Sequence, residues 1–256
     1  MPGPGRADPD EQRPVSSRPP EPERSTSPLL RSFATVSSLT LLSRVLGFFR
    51  DVLTAAVLGT SPVADAFFVA LKLPNFLRRL FAEGAFNAAF VPAFAQALTQ
   101  GGRLRARQLA SSAQSMLLAS LIVVVLLGVA AMPWTLRLVA PGFAPSSPRF
   151  EAATELSRIT FPYILFISLV ALYGGLLNSV GRFAAAAATP IFLNLALLAA
   201  LAVSTTTTSQ PARTLAYGVV LGGALQLVWI VLAAARAGWR LPLQRPALTD
   251  DNRRLL

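Results

Sequence analysis

Four long stretches of this sequence, 108–136, 159–181, 183–212 and 214–235, contain no charged side chain. Each exceeds the ~20 residues an α-helix needs to cross ~30 Å of hydrocarbon. Inside a bilayer the backbone must pair its own N–H and C=O groups, so these segments are expected to be helices. Composition points the same way, with 53% apolar residues and 14% charged, where soluble domains carry roughly a quarter charged. The expected spans lie near 110–133, 157–180, 184–204 and 214–236. The chain is read as an all-α integral membrane protein.

Two absences restrict the chemistry. With no cysteine and no histidine, disulfides, thiolate or imidazole metal ligation, thiol catalysis and Ser-His-Asp catalysis are excluded. No metal or cofactor is expected, nor an enzyme: Glu151 and Glu155 are read as loop residues without a partner constellation. The formal charge is +11, and 22 of the 23 basic residues are arginine. They sit at the ends of apolar runs or inside them, unlike the clustered soluble face that nucleic acid requires. No nucleic-acid partner is expected.

Residues 1–28 hold eight of the twenty prolines, four arginines and five acids, with almost no large apolar side chain. Such a stretch cannot bury enough surface to offset its ordering entropy and reads as a disordered tail. Two further spans follow it, near 31–58 and 63–98, giving six in all over residues 29–239. Turns are expected at Gly59–Pro62, Gly101-Gly102, Pro141-Gly142, Gly181 and Ser204–Pro211. Arg103, Arg105 and Arg107 follow span two, Arg182 follows span four, and Arg236, Arg240 and Arg245 follow span six. Under the positive-inside rule both termini are then cytoplasmic. Trp134, Tyr217 and Trp239 fall at span ends, where interfacial aromatics belong.

The first two spans differ from the others in carrying Arg44, Arg50, Asp51, Asp65, Lys72, Arg78, Arg79 and Glu83. An ionisable group at mid-bilayer costs about 2.5–3.5 kcal/mol on insertion scales, so eight facing lipid would cost roughly 20 kcal/mol. Some must snorkel and others line water. Five basic against three acidic residues leave +2, a bias suited to an anionic substrate such as a phosphate or pyrophosphate. Arg44 and Asp51, seven apart, share a face, whereas Arg50 lies about 120° away and can reach substrate or a neighbouring helix. Asp65, Lys72 and Arg79 repeat at seven, and Arg79 and Glu83 form an i,i+4 pair. Gly47 and the Lys72–Pro74 step are expected hinges. The alternative for Asp51, Asp65 and Glu83 is an internal salt bridge that keeps helices in register.

Elsewhere the polar and small residues read as packing. Gly218 and Gly222 form a small-residue helix contact, and Asn178, Asn194 and Gln226 are expected to bridge helices by hydrogen bonds. Phe86, Phe90 and Phe94 form a stripe that is core or lipid-facing.

Three motifs carry a family resemblance: Ser43-Arg44-Val45-Leu46-Gly47-Phe48-Phe49-Arg50-Asp51, Ala64-Asp65-Ala66-Phe67-Phe68, and Leu73-Pro74-Asn75-Phe76-Leu77-Arg78-Arg79-Leu80-Phe81-Ala82-Glu83-Gly84. In this order and spacing they resemble the MurJ (MviN) family of lipid II flippases, within the multidrug/oligosaccharidyl-lipid/polysaccharide exporter superfamily. Pro141-Gly142-Phe143, Thr160-Phe161-Pro162-Tyr163-Ile164, Leu177-Asn178 and Arg182-Phe183 extend it over about residues 30–256.

The resemblance implies movement of the undecaprenyl-pyrophosphate-linked peptidoglycan precursor, lipid II, across the bacterial cytoplasmic membrane by alternating access around a cationic cavity. It places essential arginines at Arg44, Arg50 and Arg78, with Lys72 and Arg79 beside them as substrate-binding candidates. Asp51 would orient its arginine neighbours, while Asp65 and Glu83 would serve as gate or salt-bridge acids. The family has two related lobes, so these six spans would form one lobe, with residues 240–256 a connector to a second lobe absent here. Cell-wall synthesis proteins are further possible partners. The alternatives are a polysaccharide-lipid or drug exporter of the same superfamily, and an inactive membrane scaffold.

Overall fold

The computed structural model describes residues 28–77, 86–145, 147–207 and 210–244. The proline-rich stretch 1–27, and Arg78, Arg79 and Glu83 with the rest of 78–85, lie outside the described residues, as does most of the expected connector. The described residues form eight helices and no strand. These are α1 (Pro28–Leu58), α2 (Pro62–Leu77), α3 (Phe86–Ala130), α4 (Met132–Val139), α5 (Pro148–Thr160), α6 (Tyr163–Ser179), α7 (Phe183–Thr207) and α8 (Pro211–Arg236).

Four helical stretches are long and apolar enough to cross a membrane: Ala88–Ala130, Pro148–Ser179, Phe183–Thr206 and Pro211–Arg236. Each covers most of one charge-free run, and Pro211–Arg236 contains the whole of 214–235. α1, with 31 residues, reaches about 46 Å at 1.5 Å per residue but carries Arg44, Arg50 and Asp51 in its middle. The expected span 63–98 comprises α2 and the first leg of α3, with 78–85 between them.

Local sequence explains several boundaries. Ser61 closes the turn between α1 and α2: its hydroxyl donates to the Leu58 carbonyl (2.8 Å) and accepts from the Ala64 N–H (3.2 Å). At Gly102 the backbone adopts φ 68° and ψ −172°, a conformation essentially reserved for glycine. The connection expected at Gly101-Gly102 is thus a one-residue kink inside α3. Arg103, Arg105 and Arg107 consequently stand on its second leg and not in a loop. Ser147 caps α5, accepting from the Phe150 N–H at 3.2 Å, with Pro148 at the start and Glu151 in the first turn. Glu151 and Glu155 therefore lie on a helix; the charges there were too dense to reveal a helix start from apolar periodicity.

Packing does not follow chain order. α1 lies chiefly on α7 and only slightly on its sequence neighbour α2, while α2 lies on α5. The most extensive seam among the described helices joins α7 and α8. A Cβ at Gly218 would sit 2.7 Å from Ala200 Cβ, and one at Gly222 would sit 2.7 Å from Leu193 Cδ1. The small-residue motif therefore sets the backbone approach. Phe90 and Phe94 are fully buried among α6 and α8 residues. Trp239, just beyond the end of α8, is buried at 5% exposed. Its ring meets Phe94 edge-on at 5.3 Å and carries the Arg103 guanidinium at 4.9 Å. Trp134 and Tyr217 are exposed.

Candidate functional site

The best-defined polar constellation sits where α1 crosses α7. Arg50 is turned toward α7, the neighbouring-helix option left by its 120° offset from the Arg44–Asp51 face. Its Nη1 donates to Asn194 Oδ1 at 2.8 Å, while Nε and Nη2 donate to Asp51 Oδ1 at 3.0 and 2.7 Å. Asn194, 4% exposed, returns a bond from Nδ2 to the Ser43 carbonyl at 2.9 Å. Thr54 adds a bond from its hydroxyl to the Arg50 carbonyl at 2.7 Å. The Arg50 side chain is 25% exposed and that of Asp51 70%, so the pair is partly uncovered among the described residues.

A guanidinium has five N–H donors. Three of those on Arg50 are used, leaving one on Nη1 and one on Nη2 without a partner among the described residues. Arg50, Asp51 and Thr54 line a cavity of about 240 Å³ whose other walls include Phe67, Phe68 and Pro74 of α2 and Leu193 and Leu197 of α7. That exceeds several times the ~30 Å³ share of one water molecule. A larger hollow of about 590 Å³ shares Asn75, Tyr163 and Leu193 with it. Its described lining is uncharged and includes Asn178, Thr189 and Gln226. The buried Gln226 amide donates to the Thr189 carbonyl at 3.0 Å and accepts from the Tyr163 hydroxyl at 3.4 Å.

The remaining expected site residues are distributed more widely. Arg44 and Lys72 are exposed and have no hydrogen-bond or ion-pair partner among the described residues; neither appears among the described residues lining the Arg50 cavity. Asp65 forms an ion pair with Arg149 of α5, and Arg149 also stacks over Phe143 at 4.6 Å. Asp51 and Asp65 thus both have ion-pair partners, Asp51 on its own helix and Asp65 across to α5. Gly47 lies within continuous helix under the Asn194 amide, and Pro74 lies buried within α2. Two residues gained significance only from the structure. Asn194 was legible as a helix bridge but not as the partner of Arg50, and nothing in the sequence singled out Arg149.

A family model described as lipid II flippase MurJ matches residues 54–255. The chain belongs to the lipid II flippase MurJ family. It is 40% identical over 232 residues to the probable lipid II flippase MurJ of Rhizobium tropici, covering 89% of this chain and 44% of that protein. With its counterpart in Rhizobium meliloti (strain 1021) the identity is 42% over 232 residues, covering 89% and 43%. A solved MurJ structure, in an inward closed conformation, superposes with a TM-score of 0.67 at 27% identity, over 86% of this chain and 45% of that one. A MOP superfamily transporter from Pyrococcus furiosus gives a TM-score of 0.68 at 13% identity, over 88% and 50%, a likeness that bears on fold alone. The chain spans less than half the length of these MurJ relatives.

Proposed function

We propose that this chain forms the arginine-bearing lobe of a lipid II translocator of the bacterial cytoplasmic membrane. The observation that carries the reading is Arg50, held by Asp51 and Asn194 with two N–H donors left over, at the wall of a cavity. A guanidinium so held suits an anionic oxygen acceptor, and lipid II presents a pyrophosphate. Relatives described as lipid II flippases supply the substrate class. Arg44 and Lys72, exposed on α1 and α2, would extend the cationic surface, together with Arg78 and Arg79. Asp65, paired with Arg149, would tie α2 to α5 in one state of an alternating-access cycle and release it in another, with Glu83 a second acid of the same kind. Gly47 and Pro74 would be the points at which α1 and α2 bend. The exposed apolar face of α1, with Leu41, Val45, Phe48 and Val52, would lie against lipid or a second lobe. Arginine placement orients the Arg103–Arg107 and Arg240 end toward the cytoplasm.

The test is growth complementation in cells depleted of their own flippase. The chain would be joined to the part of the Rhizobium tropici relative that it does not match. Restored growth that is lost with Arg50→Ala supports the reading. Growth restored equally by native and Arg50→Ala forms contradicts it.

A further inference from the structure

We infer that Asn194 is a positioning residue for Arg50, holding the guanidinium in the orientation that grips an anionic oxygen; this rests on the reading of Arg50 as an anion-binding group. The orientation of the Asn194 amide follows from chemistry. A guanidinium has no acceptor and a carbonyl has no donor, so Oδ1 must face Arg50 and Nδ2 must face Ser43. Ser43, Gly47 and Arg50 occupy positions i, i+4 and i+7 on one face of α1. The amide lies across that face, 3.6 Å from where a Cβ on Gly47 would stand, and bonds at both ends.

An arginine side chain has many rotamers, and one at a cavity wall loses binding strength unless something fixes it. Asp51 fixes the Nε side of the guanidinium, and Asn194 fixes Nη1 from a different helix. Asn194 is buried, and its neighbour Leu193 lines the same cavity as Arg50. It therefore acts through Arg50 without needing to touch a ligand.

The experiment is a double-mutant cycle on the chain in lipid nanodiscs, titrated with undecaprenyl pyrophosphate and read as Kd. Arg50→Gln is expected to weaken binding, and Asn194→Ala to weaken it roughly tenfold, the scale of losing a hydrogen bond to a charged group. In the Arg50→Gln background Asn194→Ala should then change Kd by less than about twofold, because its only route to the ligand is gone. A merely structural brace would weaken binding by the same factor in both backgrounds, and that result overturns the inference. So does an unchanged Kd in Asn194→Ala. If Arg50→Gln itself leaves Kd unchanged, the reading of Arg50 fails and the inference with it, an outcome distinct from the other two. Should Asn194→Ala fail to insert, Asn194→Ser runs the same cycle, because its shorter hydroxyl falls short of Arg50.

Discussion

Arg50 on α1 and Asn194 on α7, 144 positions apart, are joined by a 2.8 Å hydrogen bond from Nη1 to Oδ1. The bond sits on the largest packing contact that α1 makes. It ties the charged helix to one of the most apolar helices of the bundle. A guanidinium facing hydrocarbon is costly. The local solution is a carboxylate on one side, a buried amide on the other, and a cavity in front.

Replacing Arg50 by lysine should separate charge from geometry. An ammonium is a point charge with no planar fork, and it cannot meet Asp51 and Asn194 as the guanidinium does. Affinity for undecaprenyl pyrophosphate in nanodiscs should fall in Arg50→Lys and fall further, by at least roughly tenfold, in Arg50→Ala. Equal affinity of Arg50→Lys and native protein would show that charge alone suffices.

The α7–α8 seam should tolerate no added side-chain bulk. Gly218→Val and Gly222→Val force atoms into positions where even a Cβ meets Ala200 or Leu193 at 2.7 Å. Overpacking of this kind costs about 1–3 kcal/mol. Thermal unfolding in detergent should show a clear drop in Tm for both, while Gly142→Ala, with nothing within 4 Å of the added Cβ, should leave Tm unchanged.

Trp239 offers a stability test just beyond α8. It is buried against Phe94 and lies under Arg103, which also donates to the Ala237 carbonyl at 3.1 Å. Trp239→Ala should cost about 3–5 kcal/mol. It should also raise hydrogen exchange across residues 237–244, whose Gln244 N–H donates to Ser115 Oγ at 2.8 Å. Exchange unchanged in that segment would show that the tryptophan does not hold it.

The Asp65–Arg149 pair should matter little for stability. Its side chains are 52% and 40% exposed, and such pairs contribute about 0–1 kcal/mol. Asp65→Asn should therefore leave Tm nearly unchanged. If the pair opens and closes during transport, the same variant should still slow lipid II turnover in the joined flippase. Native turnover in Asp65→Asn would remove the gate role.

Topology is testable with single cysteines, since the sequence contains none. Thr60→Cys, in the exposed turn after α1, should react with an impermeant maleimide added to intact spheroplasts. Arg182→Cys, in the exposed turn after α6, should react only after permeabilisation. The reverse pattern would invert the orientation.

The membrane-spanning architecture was legible because four runs without charge leave a helix few alternatives. The Gly218–Gly222 contact was legible for a similar reason, since small residues four apart in an apolar helix have little other use. What lay hidden was long-range. Nothing local to Asn194 names Arg50 as its partner, and nothing near Arg149 names Asp65, because ion pairs and buried amides are matched by packing. The helix carrying Glu151 and Glu155 was hidden because its start depends on the Ser147 cap and not on apolar periodicity. The burial of Trp239 was hidden likewise, because a tryptophan after a span suits an exposed interface equally well until Phe94 is seen to cover it.

In the proposed mechanism Arg50 handles the pyrophosphate of a lipid-linked precursor during translocation. Its most direct test is the amount of lipid II exposed on the outer face of flippase-depleted cells carrying the joined protein, read by cleavage with an externally added lipid II-degrading enzyme. Cleavage is expected with the native chain and only background cleavage with Arg50→Ala at equal membrane abundance. Full cleavage with Arg50→Ala would contradict it.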